Sequence, residues 1–171
     1  MKKLLILGAG GYGKTIADLA AQLCIYSRIA FLDDQTTGPH ILGTCEEFRS
    51  FVYSQTEIYP AFGNNEVRLR WIGILQEAGI AIPTLVHPRA YVSTTAKLGV
   101  GSVIMPMAVV NTDVTLETGC IINIGALVDH DCVIGQGSHL APGAIVKAEN
   151  RIPACTKIES GVVIVNREFP L

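Results

Sequence analysis

The strongest constraint on this chain is a six-residue repeat in its C-terminal half. Every sixth residue from Val92 to Ile164 is aliphatic, thirteen positions without an exception. The residue two places before each is mostly small, as at Ala108, Ala126 and Ala144. A period of six fits neither a helix nor a plain strand. It predicts short strands joined by tight turns, three to a coil, with each aliphatic residue stacked on the one eighteen positions earlier, which is a parallel β-helix.

Composition limits the classes of partner. The 171 residues are 49% hydrophobic but only 6% aromatic, which suits thin coils filled by aliphatic side chains and glycine. A formal net charge of -2 gives no basic excess, so we expect no nucleic-acid partner. We also expect no membrane insertion, because no apolar run approaches the roughly 20 residues that span a bilayer. The five scattered cysteines form no C-x-x-C pair and predict reduced thiols in a cytoplasmic protein.

Ahead of the repeat, apolar runs alternate with a glycine-rich turn and helical patterns. The four apolar residues at 4–7 lead into glycines, which indicates a first strand rather than a signal peptide. This order describes a βαβ unit with one further strand and helix. We therefore predict an α/β, Rossmann-like nucleotide-binding domain over residues 1–85 and an all-β domain of hexapeptide repeats over residues 86–171. The predicted strands span 3–7, 28–32 and 57–62, and the predicted helices span about 14–23 and 65–77.

Residues 8–13 have the G-x-G-x-x-G spacing of a nucleotide-binding turn. They follow a predicted strand, open a helix, and precede Asp33 by twenty residues counted from Gly13. Glycines let the backbone approach a diphosphate, and the helix N-terminus offers unpaired N–H groups. Asp33 and Asp34 are placed to accept hydrogen bonds from ribose or base. A glycine turn needed only for packing is one alternative, and NAD is another, although about 85 residues suit a nucleotide better than a dinucleotide.

A histidine stands at a turn of the repeat where glycine, asparagine, aspartate or serine is usual. His130 is flanked by Asp129 and Asp131. A neighbouring carboxylate fixes one imidazole tautomer and raises its basicity, which suits a general base near neutral pH. The alternative is an exposed turn histidine with no chemical role.

Zinc is a second alternative for the same histidine. His130 and His139 would supply two ligands, but a tetrahedral site needs a third, and His40 and His87 lie outside the repeat. We therefore predict no metal site.

Several separate motifs now converge on one family. The chain resembles the sialic-acid O-acetyltransferase-like sugar acyltransferases, and especially the enzymes that N-acetylate a UDP-4-amino-4,6-dideoxy sugar during bacillosamine synthesis. The resemblance runs from Lys3 to about Val146. It is carried by the glycine-rich turn at 8–13, Phe31–Asp34, Leu42–Gly43, Ala61–Glu66, His87–Pro88 and Asn123–Gly143.

The resemblance implies a left-handed parallel β-helix assembled as a homotrimer. It implies a nucleotide sugar bound by the N-terminal domain and acetyl-CoA bound between adjacent subunits, in a step of glycan biosynthesis. The implied nucleotide-sugar contacts are Gly10, Gly11, Tyr12, Asp33, Asp34 and Gly63.

The resemblance also assigns the chemistry. His130 matches the base that removes a proton from the acceptor during direct transfer, and Asp131 matches the acid that raises its basicity. His139 matches a residue lining the acetyl-CoA site. Ala148, one coil above His130, is the expected source of a backbone N–H for the oxyanion.

Two departures from the family pattern are visible. Ala148 stands where glycine is usual. Residues 151–156 lack a turn glycine, and the one or two further coils by which the family usually holds the adenine end of CoA are missing from the pattern. We expect an acetyl-CoA-dependent N-acetyltransferase of a nucleotide-linked amino sugar. One alternative is O-acetylation of sialic acid or a related sugar. The other, favoured by the short C-terminal end, is a non-catalytic nucleotide-sugar-binding trimer.

Overall fold

The computed structural model describes residues 1–170, which form two compact units that divide between Pro83 and Thr84. The first unit is α/β and the second contains only short strands and turns. The sequence pattern placed this boundary after residue 85.

The first unit is built on a three-stranded parallel sheet with the order β2-β1-β3. Its strands are β1 (Lys2–Leu7), β2 (Tyr26–Leu32) and β3 (Thr56–Pro60). Strand β1 is central because residues 4–7 are all apolar and at most 3% exposed, as expected for a parallel strand covered on both faces. Strand β3 ends at Pro60, two residues before the predicted end.

Two helices flank these strands. Helix α1 (Gly11–Gln22) joins β1 to β2 and buries Ile16, Leu19 and Ala20, while α2 (Asn65–Glu77) follows β3. The predicted start of α1 at residue 14 was wrong, because the last glycines of the turn already have helical backbone geometry. Over the described residues, 1–170, the structure has no helix long and apolar enough to cross a membrane.

The second unit stacks two-residue strands into three parallel sheets, which we call faces 1, 2 and 3. Face 1 consists of Leu85–Val86, Val103–Ile104, Ile121–Ile122, His139–Leu140 and Lys157–Ile158. Face 2 consists of Tyr91–Val92, Val109–Val110, Leu127–Val128, Ile145–Val146 and Val163–Ile164. Face 3 consists of Lys97–Leu98, Thr115–Leu116, Val133–Ile134 and Arg151–Ile152.

The register confirms the stacking predicted from the period. Ile122 pairs with Leu140 and Val128 pairs with Val146, each eighteen residues apart. The sixth-residue aliphatics from Ile104 to Ile164 point inward and are at most 7% exposed. The unit is therefore a left-handed parallel β-helix, as the resemblance implied.

The turns require residues with left-handed backbone geometry. One edge of the stack repeats this conformation at positions 113, 131, 149 and 167, with φ between +56° and +60° and no glycine among them. Cys155 adopts φ of +56° in the segment that lacks a turn glycine, so the coil continues there without one. The loss of that glycine does not interrupt the fold.

Residues 165–170 fold over the last coil. The buried Asn150 side chain donates to the carbonyls of Lys147 and Val165, both at 2.8 Å, and accepts the Phe169 N–H at 2.8 Å. The Phe169 ring packs against the aliphatic core. The end of the stack is thus closed by a hydrogen-bonded segment rather than left as an open strand edge.

Candidate active site

A cavity of about 380 Å³ opens beside the glycine-rich turn of the first unit. The loops that follow β1, β2 and β3 all contribute to its wall, as expected at the carboxyl ends of parallel strands. All six residues predicted to contact a nucleotide sugar line this cavity: Gly10, Gly11, Tyr12, Asp33, Asp34 and Gly63.

The glycines of the turn have two different reasons to be there. A Cβ on Gly13 would lie 1.9 Å from the Gly8 carbonyl oxygen, so this glycine is needed for packing. A Cβ on Gly10 or Gly11 would meet no atom within 4 Å, so packing does not explain them. Helix α1 begins at Gly11 without a side-chain cap or an acidic residue in its first turn. Its first N–H groups are therefore available to an anion in the cavity.

The two aspartates at the end of β2 have separate tasks. Asp33 Oδ2 accepts the Ala9 N–H at 2.7 Å, and Oδ1 accepts the N–H groups of Gln35 (2.9 Å) and Thr36 (2.6 Å). Burial alone raises the pKa of Asp33, but these three hydrogen bonds outweigh it and lower the pKa below its ordinary value. Asp33 is therefore an ionised clamp between the glycine-rich turn and the next loop.

Asp34 accepts fewer hydrogen bonds from the backbone than Asp33 does. Its Oδ1 accepts the Cys45 N–H at 2.8 Å, and within residues 1–170 the Cys45 thiol is the one other donor beside this carboxylate. The Asp34 side chain is exposed and lines the cavity. Of the two carboxylates, Asp34 is the one with an oxygen available to a bound molecule.

Tyr12 contributes its ring rather than its hydroxyl to the cavity. Its hydroxyl is hydrogen-bonded to the Tyr59 hydroxyl at 2.8 Å. Burial, with the contact to Tyr59, raises the pKa of Tyr12 well above its ordinary value and keeps the phenol neutral. We therefore expect Tyr12 to meet a ligand through its ring or backbone N–H.

The second cluster lies on the β-helix, at the turn between faces 2 and 3. His130 Nδ1 lies 2.7 Å from Asp131 Oδ2, and the two side chains are about half exposed, at 49% and 51%. Asp129 is used differently, since its Oδ1 accepts the His130 backbone N–H at 2.8 Å and the Asn111 side-chain N–H at 3.1 Å. Asp131 is thus the partner of the imidazole, and Asp129 supports the turn.

This geometry prepares His130 to accept a proton. With Nδ1–H donating to Asp131, the Nε2 atom carries the lone pair. The hydrogen bond to Asp131 raises the pKa of His130 above its ordinary value, and the charges of Asp129, Asp131 and Glu149 add to it, against a smaller loss of hydration. The result is a base of increased strength with its reactive nitrogen directed away from the carboxylate.

One coil above His130, the backbone N–H of Ala148 has no acceptor within the described residues. The equivalent N–H groups below it are capped by the preceding side chain: Thr112 by Asn111 and His130 by Asp129, both at 2.8 Å. At the third coil the preceding residue is Lys147, which has no acceptor atom. Ala148 is only 3% exposed, so its N–H is a nearly buried donor. A hydrogen bond from this N–H to a ligand would remove the free-energy cost of leaving it unpaired.

His139 occupies a different edge of the stack. It is on face 1, where its Nε2 accepts from the Asn123 side-chain amide at 3.0 Å beside the turn between faces 1 and 2. Face 2 separates this turn from His130, so a single chain does not hold the two histidines as ligands of one ion. No group of three or more His, Cys, Asp or Glu within residues 1–170 is arranged to hold a metal.

Comparison with known proteins gives concordant results for both units. Residues 3–75 match the family model of the PglD N-terminal domain. The whole chain is similar to the acetyltransferase domain of PglB from Neisseria gonorrhoeae, with 38% identity, 98% of this chain and 84% of that chain covered, and a TM-score of 0.94. The chain belongs to the hexapeptide-repeat sugar acetyltransferases. Its β-helix and its N-terminal unit both lie within this likeness.

Two solved complexes of related acetyltransferases are similar over nearly the full chain. One is the same PglB domain with acetyl coenzyme A, 39% identical, covering 97% of this chain and 83% of that chain with a TM-score of 0.94. The other is a variant of perosamine N-acetyltransferase from Caulobacter crescentus with CoA and GDP-perosamine, 25% identical, covering 99% and 91% with a TM-score of 0.86.

One residue of this acetyltransferase escaped the sequence analysis. Arg68 is fully buried beneath the cavity wall and donates from Nη1 to the Phe62 carbonyl at 2.9 Å. An arginine in a helix is normally solvent-facing, so hydropathy gives no signal for it. The available clue was its position in the first turn of a helix that directly follows a predicted ligand loop.

The paired imidazole of this acetyltransferase makes a testable pH prediction. Asp131→Asn should shift the acidic limb of the kcat/KM profile to lower pH, because losing the carboxylate lowers the pKa of His130 and the base then stays deprotonated in more acidic solution. The plateau rate should fall as well, since the weaker base is less well oriented. Initial rates between pH 5 and 9 check this, with Asp129→Asn as the comparison, which removes a nearby charge but not the hydrogen-bond partner of the imidazole and should give the smaller shift. An acidic limb that moves only in the Asp129 variant would assign the imidazole partner to Asp129 instead.

Proposed function

We propose that this acetyltransferase moves the acetyl group of acetyl-CoA to the amino group of a nucleotide-linked 4-amino-4,6-dideoxy sugar, with UDP as the nucleotide. The observation that carries the proposal is the presence of two matched sites in one chain: a cavity with free helix N–H groups, and the His130–Asp131 pair. The complexes of related proteins with acetyl coenzyme A, and with CoA and GDP-perosamine, support the same two classes of ligand.

In this proposal the first unit holds the nucleotide sugar. The first N–H groups of α1, at Gly11 and Tyr12, bind the diphosphate. Gly10 keeps the approach open, since it carries no side chain and none of its neighbours fills the space. Asp34 Oδ2 accepts a hydrogen bond from a ribose hydroxyl or a base N–H.

The chemistry is a direct transfer on the second unit. His130 Nε2 takes a proton from the amine as the nitrogen attacks the thioester carbonyl. The carbon–sulfur bond then breaks, an amide forms, and the proton passes from the imidazole to the departing CoA sulfur. The Ala148 N–H donates to the oxyanion while the carbonyl is tetrahedral, a contribution that is on the order of 10²–10³-fold in comparable sites.

The proposed assembly is a homotrimer in which adjacent chains share the acetyl-CoA groove. His130 and His139 lie on two edges of one chain, so a head-to-tail interface would set His130 of one subunit opposite His139 of the next. Face 2, between those edges, supports this arrangement because its outward side chains are all apolar, and Leu127 and Val163 are 37% and 44% exposed. The outward residues of face 2 are Tyr91, Val109, Leu127, Ile145 and Val163.

We place the reaction in the cytoplasm, where both proposed substrates occur in solution. The five cysteines are all free, which is compatible with a reducing compartment.

A panel of nucleotide sugars tests the proposed function. UDP-, dTDP- and GDP-linked sugars, each with a free amine or with only hydroxyl groups, are incubated with acetyl-CoA and assayed for thiol release. We expect release with the amino sugars. Release with hydroxyl sugars alone would favour the O-acetyltransferase alternative, and nucleotide-sugar binding without any release would favour the non-catalytic trimer.

Because Asp33 and Asp34 have separate tasks, we expect their asparagine variants to differ in their effects on substrate binding and on stability. Asp34→Asn should raise the KM for the nucleotide sugar by roughly tenfold, on the scale of one charged hydrogen bond, with little change in melting temperature. Asp33→Asn should raise the same KM and also lower the melting temperature, because its three N–H groups lose an ionised acceptor. The depressed pKa means that the stabilisation from Asp33 is present near neutral pH and is lost as the pH falls through the folded-state value.

Steady-state kinetics and thermal melts measure both effects, with the KM for acetyl-CoA as the internal control. Equal loss of melting temperature in both variants would contradict the division of tasks.

A further inference from the structure

The side chain of Arg68 is the least expected group near the cavity. It extends from the first turn of α2 back toward the loop that precedes the helix and is 0% exposed. Its Nη1 donates to the carbonyl oxygens of Phe62 at 2.9 Å and Gly63 at 3.5 Å, and its Nη2 donates to Asn65 Oδ1 at 2.9 Å. One rigid guanidinium therefore holds the whole connection between β3 and α2.

These contacts fix the direction of the neighbouring N–H groups. The C=O and N–H of a trans peptide point in opposite directions because the group is planar. Since the Phe62 carbonyl points toward Arg68, the Gly63 N–H of the same peptide points away from it. Gly63 lines the cavity, and within residues 1–170 its N–H has no acceptor. By holding the Phe62 carbonyl, Arg68 thus orients the Gly63 N–H at the cavity wall as a donor without an acceptor.

The charge of Arg68 matters for the same reason. The residues lining this cavity include two carboxylates, Asp33 and Asp34, and no lysine or arginine. Burying a guanidinium is costly unless hydrogen bonds compensate for the lost hydration, as they do for Arg68. A fixed positive charge directly behind the Phe62–Gly63 peptide polarises its N–H and offsets the two carboxylates, which favours an anionic ligand.

We propose that Arg68 is a positioning residue of the nucleotide-sugar site, which holds the Phe62–Gly63 peptide so that the Gly63 N–H donates to an oxygen of the substrate's diphosphate. The inference rests on the proposed function, because it needs a nucleotide sugar in the cavity. Arg68 itself does not touch the substrate, and its effect passes through the Gly63 N–H.

Two substitutions of Arg68 test this. Arg68→Lys keeps the positive charge but loses the two guanidinium nitrogens that donate together, and Arg68→Met loses both the charge and the donors. We expect the KM for the nucleotide sugar to rise by about tenfold or more in the lysine variant and further in the methionine variant, on the scale of one or two charge-assisted hydrogen bonds. The KM for acetyl-CoA and kcat at saturating nucleotide sugar should stay within about twofold, since neither depends on this loop.

Arg70 provides a matched control on the same helix. Its side chain is exposed and forms no hydrogen bond within residues 1–170, so Arg70→Lys and Arg70→Met should leave all three constants unchanged. An Arg68→Lys protein that melts like the parent and keeps the parent KM for the nucleotide sugar would overturn the proposal. So would an equal rise in both KM values, which is the signature of a general structural loss.

A measurement on the unaltered protein covers the case in which both Arg68 variants fail to fold. The amide signal of Gly63 in a ¹⁵N-labelled sample is followed during titration with UDP, GDP and dTDP, and then with the nucleoside of the nucleotide that binds best. We expect a large shift of the Gly63 amide with the diphosphate and a small one with the nucleoside. Binding of a diphosphate without a shift at Gly63 overturns the inference, whereas failure of every nucleotide to bind points to the proposed function instead.

Discussion

Replacing His130 with alanine is expected to lower kcat by about 10²–10⁴-fold, the usual contribution of a positioned general base. The amine must lose a proton as it attacks the thioester, and the His130 imidazole is already paired with the Asp131 carboxylate of its own turn. Nucleotide-sugar binding should be unchanged, because the cavity of the first unit contains no part of this turn. Steady-state rates with calorimetry of nucleotide-sugar binding separate the two effects.

Thr112 offers a control at the same turn position, one coil below. Its substitution by alanine changes an exposed side chain and should leave the rate within about twofold, as for ordinary surface positions. Activity of the His130→Ala protein within a few-fold of the parent, a loss far smaller than the scale set by a general base, would exclude His130 as the base.

Leu127→Glu is expected to dissociate the proposed homotrimer and reduce kcat/KM by at least about 100-fold. The proposed acetyl-CoA groove, shared by two chains, would lose half of its wall and no longer hold the thioester against the proposed base. Leu127 is the central residue of the outward apolar row on face 2 and is 37% exposed. A carboxylate there would be buried without a partner in the assembled form. Native mass spectrometry should detect the parent near three times 18.3 kDa and the variant near 18.3 kDa.

The matched control places the same new side chain on face 3. Lys97 already carries a charge and is exposed, so Lys97→Glu should remain trimeric and active. A Leu127→Glu protein that is monomeric and fully active would contradict the shared groove, even with the fold intact.

The β-helix was predictable because one physical requirement recurs at every coil. Each turn of the stack must bury a side chain at the same height, so Val128 and Val146 meet the same environment eighteen residues apart. Such a requirement leaves a periodic trace in the sequence. The start of α1 has no such periodic signal. Glycine has a low helix propensity, so the local sequence predicted that the helix starts after the glycines.

The sequence predicted which residues form the candidate sites better than it predicted what each residue does. All six predicted contact residues line one cavity. Sequence spacing alone, however, does not distinguish the role of Asp33 from that of Asp34. Their separation depends on which backbone N–H groups lie within reach, and tertiary structure decides this. Arg68 was missed for the same reason, since its burial comes from the loop that folds over it.

Other details were encoded in the sequence without being recognised. The turn position before Thr112, His130 and Ala148 is occupied in succession by asparagine, aspartate and lysine. The first two can cap the following N–H and the third cannot. An uncapped donor above the histidine was therefore a possible prediction from side-chain chemistry alone.

The most direct test of the proposed chemistry is the structure of the product. The parent protein is incubated with acetyl-CoA and a UDP-linked 4-amino-4,6-dideoxy sugar, and the product is analysed by mass spectrometry and NMR. The account predicts a mass increase of one acetyl group, with an amide at the sugar nitrogen, and at least about 100-fold less of this product from the His130→Ala protein over the same time. Acetylation on a sugar oxygen, or an equal yield of the amide from the His130→Ala protein, would contradict it.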